Sequence, residues 1–358
     1  MSAITIGGDL IHYEKLGRGR PVILVHGWIG SWRYWIPLMQ QLHLKYSVYT
    51  LDLVGFGDSA RNKSNYNIES QVKMLLDFTE QLGIPKAAFV GHALGAMVVA
   101  EFARQFPEKA ARLLLVNAPL FDPGDLQTRQ PATTRQLLTP RNDRYRMAPT
   151  PESLGYEDRT IANEKLNRPA IEDEDTTLLN QQETPFHELP TIGKPDAIDR
   201  EALRLAAETR RIKNKRNDLQ ETFKSETILS LLERCYKRSE PEFDKLKSDV
   251  DRSDNAVLVE STQQFNAGDF LDKLRSLTAP TVIVHGEADP VLPKPKESIW
   301  NYLTANDKED VLVPVPLPNI RHFPMLEHDS FPRLVGDFLS TADISKLEIR
   351  ERWRRRSR

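Results

Sequence analysis

Four short apolar runs, each bounded by turn residues, recur within the first 120 residues: Val22–Val25, Val48–Leu53, Ala87–Val90 and Leu113–Val116. Runs of this length suit parallel strands buried on both faces. Longer stretches of helical period separate them. Ile68–Leu82 carries Val72, Leu75, Leu76 and Phe78 between charged residues, and Ala93–Phe106 carries Leu94, Val98, Val99 and Phe102 before Pro107 stops it. This alternation predicts an α/β architecture: a mostly parallel central sheet flanked by helices.

The alternation breaks near Phe121 and returns near Leu274. Between them, 54 of 154 residues are charged, about 35 %, against 28 % for the whole chain. This shift divides the chain into a first core part at 1–120, an insertion at 121–274, a second core part at 275–340 and a tail at 341–358. Prolines and the acidic run Glu172–Asp175 punctuate the first half of the insertion, so 125–195 is expected to be its least ordered part. Its second half reads helical at 197–213, 219–223 and 227–236. Ile228, Leu229, Leu232 and Cys235 share an apolar face there, and Leu203 is also expected to be buried. These helices form the expected cap. Thr281–Val284 and Val311–Val313 read as further strands, and Ser330–Leu339 as a closing helix.

Composition excludes several classes. The chain has 358 residues with 49 basic and 51 acidic side chains, a net charge of −2, which argues against a globally basic nucleic-acid binder. One cysteine, Cys235, rules out an internal disulfide and a multi-cysteine zinc site. The histidines lack metal-ligand spacing, and no glycine-rich nucleotide motif follows a strand, so neither cofactor nor metal is expected. No secretory signal or transmembrane run is visible, which gives a cytoplasmic expectation. Lys346–Arg358 carries a net charge of +5 and is read as a solvated end. The expected partner is a small-molecule substrate; oligomeric state is not fixed by the sequence.

The polar residues that stand out all follow strands. They are Val25-His26-Gly27-Trp28, Gly91-His92-Ala93-Leu94-Gly95, Gly286-Glu287-Ala288-Asp289 and Arg321-His322-Phe323-Pro324. With Leu51–Ser59, these segments resemble the α/β-hydrolase fold family in order and spacing, apart from the insertion and tail. The resemblance implies that His322 is a general base oriented by Asp289. It also implies that the backbone N–H groups of Trp28 and Leu94 form an oxyanion hole, with Trp28 at the pocket wall. His26 and His92 are read as shaping their turns, His328 as structural, and Glu287 as a less favoured acid.

The family turn reads Gly-x-Ser-x-Gly, and Ala93 stands where its serine is expected. A methyl group cannot attack a substrate. Backbone oxyanion donors do not depend on that side chain, and some members resembling aminoacrylate hydrolases also carry alanine there. Three readings stay open: water activated by His322 and Asp289, a binding protein without catalysis, or a serine hydrolase whose nucleophile was replaced.

Overall fold

A computed structural model describes residues 2–129, 217–305, 308 and 310–347. They belong to one of the two units into which the chain divides; the other, 139–205, lies outside the described residues. The expectations for 197–213, for Leu203, for most of 125–195 and for the end of the tail also fall outside them.

Eight strands form one sheet: β1 Ser2–Ile6, β2 Asp9–Leu16, β3 Arg20–Val25, β4 Tyr46–Leu51, β5 Ala87–His92, β6 Ala110–Val116, β7 Thr281–Gly286 and β8 Leu312–Leu317. Their order is β1-β2-β4-β3-β5-β6-β7-β8. The pairings β1–β2 and β2–β4 are antiparallel and the rest parallel. Every residue of β4, β5 and β7 is buried, as continuous apolar runs covered on both faces require. The first two strands were absent from the sequence expectation. Joined by the Gly7-Gly8 turn, their residues are mostly exposed or half-buried, with only Ile6, Ile11 and His12 buried, so they lack the unbroken apolar run that marks the inner strands.

Helices cover the sheet. They include α1 Ile36–Leu42, α2 Ile68–Gln81 and α3 Leu94–Gln105, then α4 Asp218–Phe223, α5 Ile228–Cys235, α6 Pro241–Val250, α7 Ala256–Glu260 and α8 Ala267–Arg275. Asn67 caps α2, a Thr227–Ser230 capping box opens α5, and Pro241 starts α6. Only α4 and α5 of these last five were expected. The buried face of α5 is Ile228, Leu231, Leu232 and Cys235, with Leu229 only half-buried. This corrects the expected set: spacing i, i+3, i+4, i+7 selects Leu231 over Leu229. The chain closes with α9 Glu297–Thr304, α10 Pro324–Glu327 and α11 Phe331–Ser340.

β8 is six residues long, twice the expected Val311–Val313, starts one residue later and contains Pro314 and Pro316. An edge strand tolerates proline on its unpaired side. Thr281 N–H donates to Val311 O at 2.6 Å and Glu287 N–H to Leu317 O at 3.0 Å, so the odd-numbered residues face β7. Leu312 N–H turns back to Lys308 O at 2.8 Å.

Helices α4, α6 and α7 pack on the loops that follow β3 and β4. Phe223 meets Trp28 edge-on at 4.9 Å, Leu246 approaches Gly30, and Val257 approaches Gly55. The carboxyl ends of the parallel strands therefore lie beneath inserted side chains, where open α/β sheets place their sites.

Candidate functional site

β5 ends in a turn too tight for ordinary residues. Ala93 adopts φ 48° and ψ −106°, a sparsely populated conformation for a residue with a side chain, and α3 begins at the next residue. The flanking glycines make this possible. A Cβ at Gly91 would fall 2.5 Å from Gly95 O, and one at Gly95 would fall 2.3 Å from Val25 O. β3, β5 and α3 thus meet through bare backbone. On the facing loop, a Cβ at Gly27 would lie 2.9 Å from the Ala93 methyl. Leu94 opens α3, so its N–H belongs to the first turn, whose donors no helical carbonyl reaches.

His322 and Asp289 are brought together from the loops after β8 and β7. His322 Nδ1 lies 2.9 Å from Asp289 Oδ2, and both side chains are fully buried. A carboxylate only accepts, so Nδ1 carries the proton and donates. Burial alone would raise the Asp289 carboxyl, but the adjoining His322 and the Val291 N–H bring it down to about 2. Its Oδ1 accepts from Val291 N–H at 2.8 Å and Leu292 N–H at 3.1 Å. His322 Nε2 is buried and has no hydrogen-bond partner among the described residues.

Asn117 completes this arrangement and was missed in the sequence. It follows β6 with φ 45°. Its Nδ2 donates to Asp289 Oδ2 at 2.6 Å, and its Oδ1 accepts from Gly286 N–H at 3.1 Å. A polar residue at the carboxyl end of a buried parallel strand was the available signal.

His92 points away from the turn into neighbouring structure. Its Nε2 donates to His322 O at 2.8 Å, because a carbonyl can only accept. Its Nδ1 then accepts from the Tyr34 hydroxyl at 2.9 Å, whose oxygen accepts from Gly27 N–H at 2.7 Å. Burial, reinforced by His322, pushes the His92 imidazole well below its ordinary value, which suits this neutral tautomer. One directed chain therefore links the loops bearing Gly27, His92 and His322. His26 ties its own turn to the loop after β4, with Nδ1 2.7 Å from Gly27 O and Nε2 accepting from Leu53 N–H at 2.9 Å. The Trp28 indole is fully buried, and its Nε1 donates to Ser261 Oγ at 2.9 Å. Glu287 is engaged by Lys294 at 2.8 Å.

Among the described residues, His12, Asp52 and Asp58 bring potential ligand atoms within 4.8 Å of one another. The grouping fits a cation poorly. Asp58 already pairs with Arg33 at 2.8 Å and Arg252 at 2.9 Å, and Asp52 accepts from the N–H groups of Trp32 and Asp58. A separate cavity of about 470 Å³ is lined by Phe121, Asn266, Gly268, Pro293 and Lys296; Ala93, Asp289 and His322 are not part of its wall. No described helix is long and apolar enough to cross a membrane.

A family model described as the alpha/beta hydrolase fold matches residues 20–145. The chain has the α/β-hydrolase fold. Mouse bifunctional epoxide hydrolase 2 is 33 % identical over 122 residues, covering 32 % of this chain and 22 % of that protein. Soluble epoxide hydrolase from Corynebacterium sp. strain C12 is 30 % identical over 112 residues, covering 31 % and 39 %. The matched segment thus spans about a fifth to two fifths of these curated relatives. A hydrolase structure from Pseudomonas aeruginosa PA01 aligns with a TM-score of 0.58 at 15 % identity, covering 95 % of this chain and 98 % of that one. A thermophilic esterase structure from Thermogutta terrifontis aligns at 0.56 and 18 %, covering 95 % and 98 %. At such identities these two likenesses carry the fold alone.

Proposed function

We propose that this α/β-hydrolase-fold protein hydrolyses a small organic substrate, an ester, amide or labile carbonyl compound, without a covalent intermediate. His322 takes a proton from water through Nε2, Asp289 holds the imidazole in the required tautomer, and the N–H groups of Trp28 and Leu94 receive the developing oxyanion. Trp28 also borders the substrate. The observation that carries this reading is the buried His322, tied to Asp289 through Nδ1 and left without a partner at Nε2 among the described residues. A buried ring nitrogen without a partner is costly, and a site that must bind water or substrate supplies a reason for it. Serine hydrolases stripped of triad members keep roughly 10³–10⁴-fold catalysis over water. A labile substrate is therefore the fitting class.

Ala93 favours a second reading, a binding protein that uses the same pocket without turnover. Hydrolysis of a panel of activated esters and epoxides, the latter suggested by the relatives' names, separates the two. Turnover abolished in His322→Ala supports the water mechanism; equal rates in parent and variant overturn it.

A further inference from the structure

One side chain of the inserted segment holds both chain neighbours of His322. Tyr236, the residue after α5, stacks on Phe323 with ring centroids 5.7 Å apart. The Arg321 guanidinium lies 4.5 Å from the centroid of that same tyrosine ring. The Tyr236 hydroxyl donates to Glu327 Oε1 at 2.9 Å, while Glu327 Oε2 accepts from the backbone N–H of Arg321 at 2.8 Å. Arg321 is fixed at its far end too. Its guanidinium donates to Cys235 O at 2.7 Å and to Glu240 Oε1 at 2.9 Å. The loop bearing Asp289 is tied to the same segment, because Arg234 donates to Pro290 O.

These contacts place residues 234–240 against the side chains of Arg321 and Phe323 on one side of the His322–Asp289 bond and against the Pro290 carbonyl on the other. His322 itself sits in irregular chain between β8 and α10, where no ladder or helix fixes its direction. A planar guanidinium stacked on a buried ring and forked onto a carboxylate is a stiff support. A shift near 1 Å in a reacting group costs about a hundredfold in rate. We propose that Arg321, Tyr236 and Glu240 are positioning residues that aim the His322 imidazole at Asp289, making the inserted segment part of the working site. This rests on the reading of His322 and Asp289 as the catalytic pair. A mere tether for α5 would use the same contacts but would leave the His322–Asp289 bond undisturbed when cut.

The test is a spectrum of the full chain labelled with ¹⁵N-histidine. The downfield Nδ1 proton bonded to Asp289 is assigned by its loss in His322→Gln. In Arg321→Ala and in Glu240→Gln, with folding checked by circular dichroism, this signal should broaden or disappear. Arg321→Lys, which keeps the charge, should restore it in part. Ester turnover in Arg321→Ala should fall by about tenfold or more in kcat, with KM little changed. A folded Arg321→Ala protein that keeps the signal unshifted overturns the proposal. If that variant does not fold, an unshifted signal in Glu240→Gln decides in the same way. Equal turnover in parent and His322→Ala would instead defeat the hydrolytic reading, while the spectrum would still decide whether the clamp exists.

Discussion

Asn117 and His322 meet the same oxygen of Asp289, at 2.6 Å and 2.9 Å. The carboxylate is therefore oriented from two strands at once. Removing the amide leaves a buried charged acceptor short of one bond, at a cost of about 1.5–3 kcal/mol. Asn117→Ala should lower stability by that amount or more, since alanine also fits poorly at φ 45°. Asn117→Gly separates the two effects. Urea unfolding checks this, and an Asn117→Ala midpoint equal to the parent's contradicts it.

Acid should destabilise the protein in two steps. His285 is buried and held at about 4 by that burial, below its ordinary 6.5. Unfolding then takes up a proton, so its contribution is complete above pH 6.5 and is lost as pH falls through 4, on the order of 3 kcal/mol. His26 and His92, both lowered chiefly by burial, act in the same sense. His12 opposes them: burial lowers it, but Asp52 outweighs that and leaves it raised. Asp289, at about 2 against 3.8, adds a second loss as pH falls from 3.8 toward 2. Urea midpoints across pH 3–8 should show the slope, and His285→Leu should flatten it between 6.5 and 4. An unchanged slope in that variant would rule out this origin.

Ala93→Ser adds a single oxygen at a turn whose backbone is already held in the strained form. If His322 faces that hydroxyl, ester turnover should rise at least tenfold, about 1.4 kcal/mol of barrier, with a burst of covalent intermediate. An organophosphate should label residue 93. A folded variant that resists labelling would show the base to be out of reach.

Two glycines should respond oppositely to alanine. At Gly95 the new methyl would lie 2.3 Å from Val25 O, a backbone atom that cannot step aside, so a loss of about 3 kcal/mol or more is expected. At Gly336, within α11, nothing lies within 4 Å of the new methyl, and the gain should be about 0.5–1 kcal/mol. Thermal melts of both variants check the contrast. A neutral Gly95→Ala would mean that β3 and α3 are less closely apposed.

The inner strands were legible because burial on both faces leaves an unbroken apolar run, as in Ala87–Val90. The turn at Ala93 was legible because Gly91 and Gly95 follow an apolar strand and resemble the glycine pair of the family's Gly-x-Ser-x-Gly turn. Asn117 was not, since a lone asparagine after a strand carries no pattern until Asp289, 172 positions later, is beside it. The hydroxyl of Tyr34 likewise gains meaning only through His92, 58 positions on. Nor could Arg321 be read, because its partners Cys235 and Glu240 lie in a segment whose charged residues look solvated in sequence.

The outer rim of β8 has one more consequence. Strand addition needs donors as well as acceptors along the exposed edge. The outward-facing positions are 312, 314 and 316. Leu312 has already given its N–H to Lys308, and the other two are prolines. A second chain laid against this rim would find carbonyls and nothing to bond its own. Edge-to-edge growth of the sheet, whether into a dimer or into an aggregate, is thus disfavoured on the β8 side.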